Sequence, residues 1–511
     1  MSQTDKEMVR GAIILTYAGL LSKVLSAFYR IPLQNITGDV GFYIYQQIYP
    51  FIGMMTMMML YGLPQSIAAL VIEKPKMRQY KRQMRIFLYS VCFSLFIVLF
   101  MMAPMMSEWM GDASLVSSLR VAFLLLFVLP ELSLQRGLDQ ANGFSKRTAI
   151  SQVLEQLFRV SIIITGAILV VRLNLSLYDI GVVASLGAIT GGLVALIYFY
   201  VQKKHEVVLP VTESEGDHVY RELMKPLFIY SVIIAMNHMI LLLLQWVDAF
   251  TLVELLQQQG VDLLEAKQLK GILDRAQPLS QLGIVASSSI TLALVPGLSR
   301  ATKAKNTKRF IHLAELAYRY GLYLSGAATV GLIILMPKVN LVLFKDTAGT
   351  LSLQLFVVAI VFTSLAIIIS SILQAIGKGR QVITALVGGM VVKYLANQWL
   401  VPIFFLPGAA VSTVLSSLTI FIVNYYLLKQ HLKAPLRLPL MAFMGSLMVL
   451  MVSVLGLDYV LSPYLFMSSR FAQFIYLLGL IAVGVFAYGL SLIKTGAMTT
   501  EERAELFSKK K

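Results

Sequence analysis

Apolar stretches long enough to cross a membrane recur along this 511-residue chain. About 30 Å of hydrocarbon needs roughly 20 helical residues, and fourteen such stretches can be drawn. They run roughly over 10–31, 42–71, 86–106, 116–137, 148–171, 178–201, 224–249, 277–299, 310–335, 350–374, 381–403, 407–428, 438–457 and 471–493. Inside hydrocarbon every backbone amide must find its partner within the chain, so stretches of this length are read as helices. The expected fold is an all-α polytopic membrane protein. Composition agrees: 58% of residues are hydrophobic and only 14% charged, against about 25% charged in soluble domains. That balance argues against a soluble enzyme, a disordered chain or a fibre. The one cysteine, Cys92, excludes an intramolecular disulfide or a cysteine-based metal cluster. The first stretch is not read as a cleaved leader, because it runs on into Lys23 and Arg30 with no small-residue cleavage site.

Lys and Arg set the orientation. With a cytoplasmic N-terminus, 30 of the 43 fall in cytoplasmic segments, 7 in external ones and 6 within spans. The net charge of +17 is therefore spread over short loops facing the anionic leaflet, which suits anionic lipids and not nucleic acid. Both termini are expected on the cytoplasmic side of the membrane.

The chain also resembles itself. Gln140-Ala141-x-Gly143 matches Gln374-Ala375-x-Gly377, and in that register Lys146 meets Arg380 and Arg159 meets Lys393. Gly181, Ser185 and Tyr198 match Gly408, Ser412 and Tyr425. An even number of spans per repeat makes the repeats parallel, related by an axis along the membrane normal. The expected units are a first lobe over 1–201, a linker over 202–223, a second lobe over 224–428, and two added spans with a tail over 429–511. Two-lobed transporters hold their substrate between the lobes near the midplane, so the architecture favours a transporter.

An ionisable residue inside a span is a functional hypothesis. Lys23 and Arg30 lie seven residues apart, two turns along one helix face. They read as a cavity-lining cationic pair whose natural ligand is a phosphate or pyrophosphate. Arg275, beside Asp274 at the start of span 8, is a third candidate cation. Glu155 with Arg159 and Glu315 with Arg319 are i,i+4 pairs in the favourable order and read as structural. Lys393 has Gly389 four residues before it, so it needs a partner from another span or faces the cavity. Glu131 and Arg120 are open between the two roles. Pro50, the run Gly62-Leu63-Pro64 and Val295-Pro296-Gly297 are expected to bend spans 2 and 8. The methionines from Met54 to Met59 offer an adaptable apolar wall or ordinary packing surface.

Walker A and HExxH motifs are absent from the sequence. No metal or organic cofactor is expected. Transport would draw on the membrane potential, protons or sodium, and the sequence does not choose among them.

Several motifs follow one another along the chain. Arg30-Ile31-Pro32-Leu33 precedes Gly41-x-Tyr43-x-x-x-Gln47-x-Tyr49-Pro50 and Gly62-Leu63-Pro64. Then come Arg136-Gly137-x-x-Gln140-Ala141, Gln152-x-x-Glu155-Gln156-x-x-Arg159, Gln277-Pro278-Leu279 and Leu373-Gln374-Ala375-Ile376-Gly377-Lys378. In this order the chain resembles the SpoVB/YtgP branch of the polysaccharide-transport family, related to the MurJ-like lipid II flippases of the MOP exporter superfamily. The resemblance implies two lobes, fourteen helices and flipping of an undecaprenyl-pyrophosphate-linked saccharide, with Lys23, Arg30 and Arg275 as substrate-binding cations. At the place where a member would hold a cation in the second lobe stand Lys393 and Asn397, which with Glu131 and Asp274 are candidate coupling or cavity groups. Two departures stand out: the spacing from Lys23 to Arg30 is one residue longer than in Gram-negative-type members, and span 2 lacks an expected arginine.

The resulting expectation is a lipid II flippase working by alternating access, with polyprenyl-linked saccharide lipids, anionic lipids and cell-wall synthesis enzymes as partners, and with the polyprenyl tail staying in lipid along a lateral groove. Rivals are a flippase for another polyprenyl-linked unit, a cation-coupled drug exporter of the MATE class, a major-facilitator transporter, a polytopic enzyme acting on polyprenyl phosphates, and a non-transporting scaffold.

Overall fold

A computed structural model describes residues 3–73, 80–202, 224–432, 438–465 and 469–498. Except for Gln202, the expected linker lies outside them, as does the tail beyond Met498. The helices are α1 (Gln3–Phe28), α2 (Arg30–Met57), α3 (Leu63–Glu73), α4 (Lys81–Trp109), α5 (Val116–Phe123), α6 (Leu129–Ala141), α7 (Ser145–Arg172) and α8 (Asp179–Gln202). They continue with α9 (Lys225–His238), α10 (Ile240–Gln258), α11 (Leu263–Asp274), α12 (Ala276–Lys303), α13 (Thr307–Phe344), α14 (Thr350–Val357), α15 (Ala359–Ala375), α16 (Gly379–Lys429), α17 (Leu440–Leu465) and α18 (Arg470–Lys494).

Among the described residues, eleven continuous helical stretches are long and apolar enough to cross a membrane. Two of them, Tyr17–Glu73 and Gly379–Lys429, hold two crossings each and break in mid-course at Gly38 and Phe405. With α12 these account for the fourteen expected spans. The face where α1 begins and α18 ends is called the near face; the opposite one, where the odd spans hand over to the even ones, is the far face.

Sequence explains the breaks. Gly38 has φ +69°, a conformation that costs glycine little, and it turns the chain from span 1 into span 2. Pro64 cannot donate to the carbonyl one turn back, and the helix widens into a π turn over Met58–Gly62 just before it. Span 7 is broken at Met239 between α9 and α10. At the far face α11 stands as a separate helix, its first turn capped by Asp262, whose carboxylate accepts from the Leu264 N–H at 3.0 Å. This helix is separate from span 7, whose helix runs on to Gln258.

The lobes meet where α1 packs on α12, α3 on α9 and α2 on α11. The hairpin of α17 and α18 packs on α13. It is pinned by Lys338 to Asp458 at 2.6 Å and by the Tyr488 hydroxyl donating to the Tyr323 carbonyl at 2.9 Å. The methionine cluster is packing surface: Met55 and Met59 are buried and Met54, Met57 and Met58 rest against the core.

The two halves of α16 turn tightly about Phe405, between Pro402 and Pro407. A Cβ on Gly408 would lie 2.2 Å from the Leu400 carbonyl oxygen, and backbone cannot yield there. Gly408→Ala is expected to destabilise the second lobe by about 1–3 kcal/mol. A thermal melt in detergent should show a lower midpoint; an unchanged midpoint would mean that the hairpin relaxes freely.

Candidate functional site

A cleft opens between the lobes. Span 1 contributes Lys23 and Arg30, span 2 Tyr49 and Met57, span 7 Asn237, His238 and Gln245, and span 8 Gln277, Gln281 and Ser288. The His238 ring stacks on Tyr61 at 4.1 Å beside the break in span 7. No acidic residue is among those lining the cleft.

Arg30 is 2% exposed, yet its Nε and Nη2 have no hydrogen-bond acceptor among the described residues. Its guanidinium lies 4.0 Å from the centre of the Tyr49 ring, a cation–π contact that compensates only in part for lost hydration. The Lys23 ammonium lies 5.5 Å from the Tyr61 ring centre. Neither forms an ion pair among the described residues. Tyr29 and Tyr45 share a short hydroxyl contact behind Arg30 and fix the wall on which it rests. Unpaired donors on buried groups are costly, and an anion is the kind of group that could satisfy this pair. Neutral amides beside it (Asn237, Gln245, Gln277 and Gln281) can donate to or accept from sugar hydroxyls and amides.

Arg275 does not join them. It is fully buried but lies at the far face, where its fork is shared between two carboxylates. Its Nη2 donates to Asp39 Oδ2 at 2.6 Å and its Nη1 to Asp346 Oδ1 at 2.6 Å, with Asn340 Oδ1 at 3.2 Å. Asp39 belongs to the span 1–2 corner of the first lobe, Asp346 to the second. Arg275 thus bridges the lobes, paired with one carboxylate from each. The expectation that it is a third cleft cation is corrected by these contacts.

A second far-face clasp joins Lys267 of α11 to Asp112 at 2.9 Å and to the Tyr178 hydroxyl at 2.7 Å. Between the two clasps, a Cβ on Gly271 would lie 2.2 Å from the Asp39 carbonyl oxygen, so only glycine allows α11 this close. Burial would raise the Asp346 carboxyl, but hydrogen bonds from Arg275 and the Ala348 N–H outweigh it and hold it below the ordinary carboxylate range. Burial would likewise lower the Lys267 ammonium, and its bonds to Tyr178 and Asp112 outweigh that and raise it. Asp346 loses its contribution only as pH falls through its lowered pKa, Lys267 only as pH rises through its raised one. Asp346 and Lys267 therefore both keep their charges throughout the neutral range.

The remaining candidates are placed elsewhere. Glu131 is not a cavity group: Arg85 grips it at 2.8 and 3.1 Å and Gln135 donates to it at 2.5 Å. Asp274 is held by Lys270 of its own helix at 2.6 Å and is not among the cleft-lining residues. Glu155 and Arg159 pair at 2.6 Å as expected, joined by Arg136 at 2.8 Å. Glu315 and Arg319 are both engaged and do not line the cleft. Lys393 finds its partner on another span, Asp248 at 2.7 Å, and Asn397 donates to the same carboxylate at 2.8 Å. Sequence reasoning passed over Asp248, although an acid inside an apolar span is a signal in itself. Asp39, Asp112, Asp346 and Lys267 sit in polar connections, where nothing in the sequence marks them as partners.

Comparison with known proteins follows the same lines. The profile of the family described as Polysaccharide biosynthesis protein matches residues 8–302. The chain is 36% identical over 503 residues to a Bacillus subtilis (strain 168) uncharacterized membrane protein, YabM, covering 96% of this chain and 93% of that protein. It is 24% identical to the lipid II flippase MurJ of the same organism, covering 88% and 90%. It is 23% identical to stage V sporulation protein B, covering 75% and 76%. Among solved structures, MurJ in an inward closed conformation superposes with TM-score 0.69 at 14% identity, over 95% of this chain and 99% of that one. An inward-facing MATE multidrug transporter gives 0.62 at 15%, over 82% and 98%. At these identities the structural matches establish a shared fold.

Arg275→Met should leave Asp39 and Asp346 without their common partner and loosen the far face. In a Cys92→Ala background, Gln277→Cys should then react with an impermeant maleimide from that side about tenfold faster, the equivalent of about 1.4 kcal/mol. An unchanged rate would show that Arg275 does not hold the lobes together.

Proposed function

The chain belongs to the Polysaccharide biosynthesis protein family, and we propose that it is a flippase for a polyprenyl-pyrophosphate-linked saccharide, with lipid II as the leading substrate. It would move this lipid from the inner to the outer leaflet of the bacterial cytoplasmic membrane, the near face being cytoplasmic.

One observation carries the reading: Arg30 is buried in the wall of the interlobe cleft with two nitrogens unsatisfied, next to Lys23 and with no acid lining the space. A pyrophosphate supplies the missing acceptors and charge in one group. The guanidinium fork can take two of its oxygens, and the ammonium can take another without fixed direction. The amides of spans 7 and 8 then face the saccharide, while the polyprenyl chain stays in lipid along the α17–α18 hairpin. The same cleft argues against the drug-exporter rival, since a cationic drug would meet two cations and no carboxylate.

Alternating access follows from the latch. In this state the far face is clasped by Arg275 and Lys267. Binding favours the other state only if the pyrophosphate is held better there, when the far-face clasps are released and the cleft opens to the outer leaflet. Asp346 lowers the cost of that step by remaining on Arg275. The basic near-face loops are suited to anionic lipids, and cell-wall synthesis enzymes are fitting partners for the delivered lipid. No bound cofactor enters this scheme; the driving force is membrane potential, protons or sodium.

The test is complementation of a strain depleted of its lipid II flippase, scoring outer-leaflet lipid II. Wild type should restore it. Arg30→Ala and Lys23→Ala should lower flux by about 10-fold or more, as loss of a charged hydrogen bond worth about 1.5–3 kcal/mol would. Arg30→Lys should recover part of it, keeping the charge and losing the fork. Failure of wild type would redirect the substrate to another polyprenyl-linked unit, and full activity of the alanine variants at equal expression would refute the cationic cleft.

A further inference from the structure

The environment of Lys393 is more than an ion pair. Four oxygens converge on its ammonium: Asp248 Oδ1 at 2.7 Å, Thr413 Oγ1 at 2.7 Å, Ser412 Oγ at 2.8 Å and the Ala409 carbonyl at 3.1 Å. Asp248 comes from α10 and the other three from the second half of α16. The tight hairpin at Gly408 brings those three to the ammonium. A second layer fixes the cage. Asn397 donates to Asp248 and to Thr251, both at 2.8 Å, and accepts from Ser412 at 2.5 Å. Lys393, Asn397 and Ser412 are wholly buried.

An all-oxygen shell with one carboxylate is the donor set of a hard cation. Its single negative charge matches a monovalent ion. Its radius is too long for magnesium, which demands about 2.0–2.1 Å. The resemblance to the flippase family points to a bound cation in this lobe, but here the centre of the shell is filled by the chain's own ammonium. A buried ammonium has three N–H donors to satisfy, and the oxygens that satisfy them here are the same ones a free cation would use.

We infer that Lys393 is the permanent cation of the second lobe, that the native chain takes up no alkali cation at this place, and that removing the ammonium uncovers an alkali-cation site made of the same oxygens. Lobe 2 then keeps a neutral core throughout its cycle. If the protein is the flippase proposed above, its turnover needs no sodium or potassium in this site; that consequence rests on the flippase reading, whereas the binding itself does not.

The experiment is a thermal melt of purified full-length protein in NaCl, KCl or N-methylglucamine chloride at equal ionic strength. Wild type should melt at one temperature in all three. Lys393→Ser should be destabilised in N-methylglucamine and regain several degrees in NaCl or KCl, because a ligand that binds only the folded state raises its stability. Lys393→Met with Asp248→Asn removes both charges and should show no cation response. An alkali-specific rise in wild type overturns the inference, as does a folded Lys393→Ser protein indifferent to the salts. If Lys393→Ser folds only when NaCl or KCl is present, the inference stands. If it fails in every salt while the double variant folds, an alkali cation cannot replace the ammonium and the inference is wrong.

Discussion

Charge without water is the constraint on which this molecule is built. Hydrocarbon offers no hydrogen bonds, and a buried ion without a partner costs several kcal/mol. Arg136 and Arg159 share Glu155, Lys393 holds Asp248, Lys270 holds Asp274, and Arg275 holds Asp39 and Asp346. Against that pattern Arg30 and Lys23 lie against tyrosine rings and form no ion pair among the described residues. Their missing counter-charge is the property around which the cleft is organised.

The ion pairs divide by the work they do. Glu155–Arg159 and Lys393–Asp248 lie within a lobe and tie its own residues together. Asp39–Arg275 and Asp112–Lys267 lie between lobes or their connections and are made at one face only. A pair within a lobe survives rocking; a pair between lobes must break for the far face to open. Arg275 combines both kinds in one side chain, since Asp346 shares its lobe and Asp39 does not.

Much of the fold was legible. The number of spans followed from apolar length alone, because hydrocarbon thickness sets helix length. The cleft cations Lys23 and Arg30 were legible too, as deep charges with no acid on their helix face. What could not be read was which charges meet across the chain. Arg275 looked like a cleft cation because its partners stand 236 and 71 positions away in sequence. Glu131 looked ambiguous because Arg85 approaches it from a neighbouring helix. Lys393 announced its need for a partner from another span by the glycine one turn before it, but only packing identified Asp248. Local spacing specifies helix faces, whereas pairing between helices is decided by tertiary structure.

The link between cleft and latch can be measured directly. Spin labels at Asn174→Cys and Gln259→Cys, in a Cys92→Ala background, would report the far-face separation of the lobes in lipid nanodiscs. Undecaprenyl pyrophosphate should shift the distance distribution toward longer values, and Arg30→Ala should abolish the shift. An unchanged distribution, or an equal shift with uncharged polyprenol, would contradict the claim that an anion on Arg30 and Lys23 releases the far face.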